Sequence, residues 1–368
     1  MLTELHCGAT LRALAPARTR PDENHLRPGA LSQPRYCSVT DSNSAQVSEI
    51  PTVDMSGFVS GDPDGKQMAA RQLRNAMEKV GFFFLVGHGV DWSIIDEAYS
   101  QAERFFDQPL EDKMAVKVGT GGPDSTPLLA KQRGYIHYRA KVDPVTAEKS
   151  ERAKNFVEAF NMAREDYGIN QWPSNLPGFK DALLKYYQTM YELATDMVRL
   201  YALALDLPET YFDPFFDRAG GSMRISHYFP AQSEAELADS WGIHPHTDRS
   251  FLTLLPANKV SGLQVRPEGA DWIEAPYVPG SFVVNGGDIL KRWTNDRFLS
   301  TPHRVVRSMS ERYAMPLFFS PDNDITIEVV PTCYSPDHPL RYAPISHQDF
   351  LSEFLQSDYT RDDERLKG

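Results

Sequence analysis

The chain has 368 residues, enough for one large domain or two ordinary ones with an ample core. Its 41% hydrophobic and 24% charged residues are the proportions of a soluble globular protein. A formal net charge of −12 and a pI near 5.3 exclude nucleic acid as a main expected partner, because phosphate binding needs clustered Lys and Arg.

In chain order, the first 40 residues carry five arginines (Arg12, Arg18, Arg20, Arg27, Arg35), no lysine, several prolines and three acids, Glu4, Asp22 and Glu23. Two readings stand. One is an organelle transit peptide cleaved near Arg35-Tyr36-Cys37-Ser38; the other is a disordered tail, favoured because Asp22, Glu23 and the prolines spoil an amphipathic helix. A cytoplasmic location is therefore expected, with a mitochondrial one as the alternative. Cys7, Cys37 and Cys333 are an odd set without C-x-x-C spacing, so neither a disulfide framework nor a zinc knuckle is suggested. No stretch has the apolar length needed to cross a bilayer.

Order is expected to begin at Glu49-Ile50-Pro51-Thr52-Val53-Asp54, a short strand. A helix follows over 65–80, with Met68, Leu73, Ala76, Met77 and Val80 at helical spacing. The apolar run Phe82-Phe83-Phe84-Leu85-Val86, bounded by Gly81 and Gly87-His88-Gly89, reads as a buried strand and turn. Residues 91–106 read as helix stopping near Pro109, and 119–127 as loop. A long helix is predicted over 178–205, its stripe of Leu183, Tyr187, Met190, Leu193, Met197, Leu200 and Leu203 packing on something broad.

From about Gly221 the pattern changes to short strands separated by Pro and Gly: 223–229, 250–255, 263–266, 272–274, 281–285, 303–307 and 313–319. Strands of this length and spacing suggest a sandwich or double-sheet jelly roll. A last helix over 346–355 precedes a charged tail. The expected class is mainly β with helical support. Its divisions are 1–47 (tail), 48–215 (helical and strand section), 216–356 (jelly-roll core and final helix) and 357–368 (charged tail).

His246-Thr247-Asp248 carries most of the chemistry. In a strand, residues two apart point the same way, so His246 and Asp248 would share a face. About 55 residues later, Ser300-Thr301-Pro302-His303-Arg304-Val305 supplies a second imidazole. Two histidines and one carboxylate on one side of a metal form the facial triad of non-heme Fe(II) oxygenases, which leaves the opposite positions open for co-substrate and O2. His244 competes with His246 as a ligand, but Asp248 stands at the right spacing from His246. Arg312, nine residues after His303 and ahead of the apolar 313–319 strand, would suit the far carboxylate of a 2-oxo acid such as 2-oxoglutarate. The alternative for Arg312 is a surface salt bridge.

These segments resemble the Fe(II)/2-oxoglutarate-dependent dioxygenases of the isopenicillin N synthase-like superfamily. The resemblance rests on 246–255, Gly262-Leu263-Gln264-Val265, Val284-Asn285-Gly286-Gly287-Asp288 and 300–305. It continues through Ile50-Pro51-Thr52-Val53-Asp54, Gly81-Phe82-Phe83, Gly87-His88-Gly89-Val90, Phe105-Phe106, Pro109-Leu110-Glu111-Asp112-Lys113 and Trp172-Pro173, covering about residues 49 to 350. It implies a distorted double-stranded β-helix, a jelly roll flanked by N-terminal helices. It also implies His246, Asp248 and His303 as ligands to Fe(II), with Arg312 as the anchor of 2-oxoglutarate and Tyr228 reaching the 2-oxo acid. His88 becomes a structural landmark, and His137 and Tyr138 lie where substrate-facing loops begin. Where the family has Arg-x-Ser, this chain has Arg312-Tyr313-Ala314, which lowers the expected affinity for 2-oxoglutarate unless another hydroxyl takes over. The implied activity is O2-dependent oxidation of a small molecule, by hydroxylation, desaturation or cyclisation, in secondary metabolism and by a monomer. A 2-oxoglutarate-independent Fe(II) oxidase and a turnover-deficient binding protein on the same fold are the alternatives.

Overall fold

The computed structural model describes residues 49–118, 132–137, 157–167, 169–238 and 241–352, all within one unit that begins at Gln46. The three long helices form where 3.6-residue periodicity predicts them, while Ser56–Ser60, Leu110–Ala115, Glu234–Ala238 and Asp288–Trp293 are short helices the sequence reading did not mark. Pro63–Lys79 starts on Asp62, whose carboxylate accepts from Gly65 N at 2.9 Å, with Pro63 at the first position. Trp92–Phe106 starts in the same way on Asp91, which accepts from Ser93 N. Phe179–Ala204 buries Leu183, Tyr187, Met190, Leu193, Met197 and Leu200 of the expected stripe, and leaves Leu203 partly buried. That stripe joins Leu73, Met77 and Phe105 in one core against a broad sheet.

The broad sheet runs, in spatial order, Thr52–Asp54, Phe82–Val86, Phe282–Gly286, Leu252–Pro256, Leu317–Ser320, Gly220–Tyr228, Val157–Ala163 and Tyr135–Ile136. Arg312–Ala314 also pairs with Gly220–Tyr228. A second, antiparallel sheet holds Ile273–Glu274, Leu263–Val265, His303–Val306 and Trp241–His246. Side-chain alternation decides what each face meets. Along Gly220–Tyr228, Met223 and Ile225 turn to the helices, while Tyr228 turns inward to meet Val157, Ala314 and, from the second sheet, Val305. Phe82, Phe84 and Val283 of the broad sheet likewise meet Leu263 and Val265 of the second. The two sheets thus enclose a separate interior. This is the double-sheet jelly roll, braced by helices on one face.

Three differences from the sequence reading have physical causes. The strand expected over 313–319 is interrupted at Met315-Pro316, because Pro316 has no N–H to give the ladder. The register is the same on both sides, Ala314 facing Ser226 and Leu317 facing Met223. Val157–Ala163 is a strand that sequence patterning left out, since Glu158 breaks its apolar run, and the strand expected to carry His246 and Asp248 is Trp241–His246, which stops short of Asp248. The last helix begins at His347 and continues to the last described residue, Ser352. The 119–127 loop, Tyr138, Cys7, Cys37 and both tails lie outside the described residues; Cys333 is buried. Among the described residues no helix is long and apolar enough to cross a membrane.

On the helix-facing side of the broad sheet sits a buried charged network. Glu158 accepts from Lys113 Nζ at 2.9 and 3.0 Å and from the Tyr135 hydroxyl at 2.5 Å. His227, directly across the ladder, places Nδ1 2.8 Å from Glu158 and Nε2 2.6 Å from Glu311. Its ring stacks on Tyr313 at 4.7 Å. Both ring nitrogens thus face carboxylate oxygens. The network ties the Leu110–Ala115 helix to the strands that carry Tyr228 and Arg312.

Candidate metal centre

The strand Trp241–His246 ends at His246, and Asp248 follows in the turn beyond it. The period-2 argument for His246 and Asp248 is therefore corrected: the turn, not a shared strand face, brings the carboxylate back. Asp288 N donates to Asp248 O at 2.7 Å and fixes that turn. His303 opens its own strand and pairs in register with His246. The three side chains offer donor atoms within 4.8 Å of one another. Asp248 Oδ1 lies 3.6 Å from His303 Nε2 and 3.8 Å from His246 Nε2.

Each ligand is oriented by a second contact. His246 Nδ1 lies 2.7 Å from His244 O, and His303 Nδ1 lies 3.1 Å from Thr301 O. A carbonyl only accepts, so each Nδ1 carries the proton and each Nε2 presents its lone pair to the centre. Phe82 holds the His303 ring edge-on at 5.2 Å. Asp248 Oδ2 accepts from Thr253 Oγ1 at 2.7 Å and Asn285 Nδ2 at 2.8 Å, leaving Oδ1 to face the imidazoles. Burial alone would raise the Asp248 pKa, but the His303 imidazole and these two hydrogen bonds hold it below the ordinary value. Burial chiefly, then the neighbouring His303, lowers that of His246, which favours the neutral ligand form. Thr253 and Asn285 were not singled out as supports by sequence reasoning. Polar side chains at inward positions of otherwise apolar strands were the available signal.

A close backbone approach makes the arrangement possible. A Cβ on Gly287 would stand 2.1 Å from Ser250 O and 2.9 Å from Asp248 O. Gly287→Ala is therefore expected to cost about 1–3 kcal/mol by overpacking and to lower iron retention by displacing the Asp248 turn. Denaturant unfolding and metal analysis check this; full iron content in a destabilised variant would detach the turn from the metal seat.

The triad opens on a cavity of about 70 Å³ that also touches Tyr228, Ala314 and Arg312. Arg312 is 4% exposed, and its Nη1 is buried with no hydrogen-bond partner. Its Nε reaches Val260 O at 3.3 Å, and its guanidinium lies 5.0 Å from the Tyr228 ring centroid. The surface-salt-bridge alternative does not describe this residue. A buried guanidinium whose Nη1 has no partner, on a residue that lines the metal cavity, fits a carboxylate ligand. His244 lies at the mouth of a wider cleft and is outside the three-ligand cluster. His88 is structural: Nε2 donates to Gly280 O at 2.9 Å, Nδ1 accepts from Val90 N, and the ring packs on Phe282. His137 lies 3.0 Å from the Tyr135 hydroxyl, at the edge of the buried charged network.

Comparison with known proteins agrees with this geometry. Residues 220–321 match the profile of the 2OG-Fe(II) oxygenase superfamily, and residues 50–175 match that of the N-terminal region described as non-haem dioxygenase in morphine synthesis. The chain is 33% identical to the 2-oxoglutarate-Fe(II) type oxidoreductase hxnY of Emericella nidulans, over 84% of this chain and 90% of that protein. It is 31% identical to kihadalactone A synthase LFS of Citrus sinensis, over 86% of this chain and 96% of that one. Among solved structures, a full-length Neurospora crassa protein crystallised in complex with alpha-KG is similar at a TM-score of 0.75 and 29% identity, over 84% of this chain and 96% of that one.

Proposed function

This chain belongs to the 2OG-Fe(II) oxygenase superfamily, and from that premise we propose that His246, Asp248 and His303 hold its iron while Arg312 and Tyr228 hold 2-oxoglutarate. The protein is an oxidoreductase that uses Fe(II), 2-oxoglutarate and O2 on a small-molecule substrate. One observation carries the residue assignment: His246, Asp248, His303 and Arg312, whose buried Nη1 has no partner, line the same cavity.

When bound, Fe(II) and 2-oxoglutarate supply O2 activation coupled to oxidative decarboxylation. The chain's own residues do the rest. His246, Asp248 and His303 would hold the iron from one side and leave room for exchangeable ligands. Arg312 fixes the far end of the co-substrate by a charge-assisted fork. Ala314 leaves out the hydroxyl of Arg-x-Ser, but Ser226 stands directly opposite it in the register and brings a hydroxyl to the same layer. The apolar walls, among them Leu255, Val283 and Val305, limit water at the centre.

Arg312→Gln is expected to weaken 2-oxoglutarate binding about 10- to 100-fold, with iron content unchanged. An anaerobic titration of the Fe(II) protein, followed by its visible charge-transfer band, measures it. Unaltered affinity in a folded variant would return Arg312 to a packing role. For the reaction itself, succinate formed per O2 consumed is the test. Stoichiometric succinate supports the reading; substrate-dependent oxygen uptake without succinate favours the 2-oxoglutarate-independent oxidase. The Arg312 fork inside the cavity speaks against that oxidase, and the complete ligand set speaks against a turnover-deficient binding protein.

The likeness to a named synthase and to a profile named for morphine synthesis supports a role in secondary metabolism. The same reading takes 48–215 as the supporting section and 216–356 as the catalytic core. It also takes the protein as a cytoplasmic monomer that does not bind nucleic acid, with mitochondrial placement as the alternative.

A further inference from the structure

Beside the metal seat lies a wider cleft of about 650 Å³, bordered by His246, Thr247 and Asp248. A cleft of that size suits a small molecule. His347, at the start of the last helix, lines the same cleft, although only 1% of its surface is exposed. It lies outside the three-ligand cluster, and the metal seat makes no use of it.

The chain fixes this residue through both backbone and ring. Ile345–Ser346 pairs with Thr326–Ile327, and His347 N donates to Ile325 O at 3.0 Å. Its Nδ1 lies 3.0 Å from Asp322 O. A carbonyl only accepts, so Nδ1 carries the proton. The Asp322 end is itself tied down: Asp322 N donates to Phe215 O, and the Asp322 carboxylate accepts from Arg218 N, each at 2.8 Å. Burial lowers the His347 pKa below the ordinary histidine value, against the pull of the Asp322 carbonyl, and so favours the neutral ring. Nε2 is then a bare lone pair. It is buried and has no hydrogen-bond partner. Buried acceptors of this kind normally have one.

We infer that the substrate carries a hydrogen-bond donor, a hydroxyl or an N–H, which His347 Nε2 accepts while the carbon to be oxidised lies beside His246 and Asp248. The inference rests on the assignment of the inner cavity to iron and 2-oxoglutarate. A lone acceptor in a buried wall selects by chemistry rather than by size. A donor regains there the hydrogen bond it gives up in water, whereas its methyl-capped analogue leaves Nε2 unmet. An ether or ketone brings only lone pairs, which the bare nitrogen repels. Ser320 and Asn323, also in the lining, can each donate or accept, so neither imposes this choice. His347 does.

The test uses the full chain loaded anaerobically with Fe(II) and 2-oxoglutarate. Appearance of the visible charge-transfer band checks the inner site by itself, and its absence would count against that assignment rather than this one. Cyclohexanol, phenol and indole are then titrated against methoxycyclohexane, anisole and 1-methylindole, following perturbation of the band. The first two pairs probe a hydroxyl and the third an N–H. At least one donor is expected to bind about 10- to 100-fold more tightly than its methyl-capped partner. That preference should vanish in His347→Phe while the band itself persists. His347→Gln, whose side-chain oxygen accepts, should restore part of it. A histidine that served packing alone would, when replaced, weaken both members of a pair alike. An unfolding curve accompanies each variant, and His347→Leu takes over if the Phe chain does not fold. Equal affinities within every pair, no binding by any donor, or a preference that survives loss of the imidazole would overturn the inference.

Discussion

Asp248→Ala should yield a folded chain that neither retains iron nor forms succinate. Asp248 Oδ1 supplies the one anionic donor of the cluster, and its 6% exposure leaves little room for water to substitute. Removing a partner that merely orients a ligand costs about 10–100-fold in metal affinity or activity; removing the ligand itself should cost more than that. Thr253→Val and Asn285→Ala supply the internal scale, because they take away the two donors on Oδ2 and leave Oδ1 in place. The expected ranking is a partial loss in each of these and a loss to background in Asp248→Ala. Iron per chain, succinate yield and an unfolding curve are read together. Substrate-dependent turnover surviving in Asp248→Ala would show the triad assignment to be wrong.

The second large effect concerns stability. Glu158→Ala should cost about 3–5 kcal/mol, the range for breaking a buried ion pair on one side. Side-chain exposures of 3% for Glu158 and 10% for Lys113 leave the orphaned ammonium little access to solvent. Replacing both, Lys113→Met with Glu158→Leu, should recover most of the loss, since the penalty lies in the unpaired charge. The pH dependence has a definite sign. Burial raises the Glu158 pKa, but hydrogen bonds from His227, Tyr135 and Lys113, with the Lys113 charge, bring it below the ordinary glutamate value. A carboxylate depressed in the folded state stabilises fully above its unfolded pKa, and the contribution is lost as pH falls through the folded one. The gap between wild type and Glu158→Ala should therefore be widest near neutrality and close on acidification below the usual glutamate range. A gap independent of pH would mean that Glu158 acts by shape rather than charge.

What could be read from sequence follows from how local each signal is. Pro63–Lys79, Trp92–Phe106 and Phe179–Ala204 repeat an apolar face over several turns, so their positions were legible to within a few residues. Val157–Ala163 was not, because Glu158 sits where an apolar residue would normally mark the helix-facing side. Its partners lie at 113, 135 and 227, and no local pattern joins them. The cluster of His246, Asp248 and His303 was legible from residue types and spacing, although a shared strand face is not what brings Asp248 to it. Arg312 was legible as a residue but not as a buried, half-used fork.

Both histidine ligands take their orientation from carbonyls two residues earlier in their own segments, at His244 and Thr301. Such short-range steering survives when distant parts of the fold breathe, so the seat is set before any ion arrives. A seat prepared in this way discriminates poorly among divalent ions of similar size. Cobalt, nickel, copper and zinc would enter it as readily as iron, and more tightly by the ordinary order of affinities. Occupancy in the cell is then governed by which ion is abundant when the chain matures, and zinc carry-over during purification becomes the first thing to measure when a preparation is inactive.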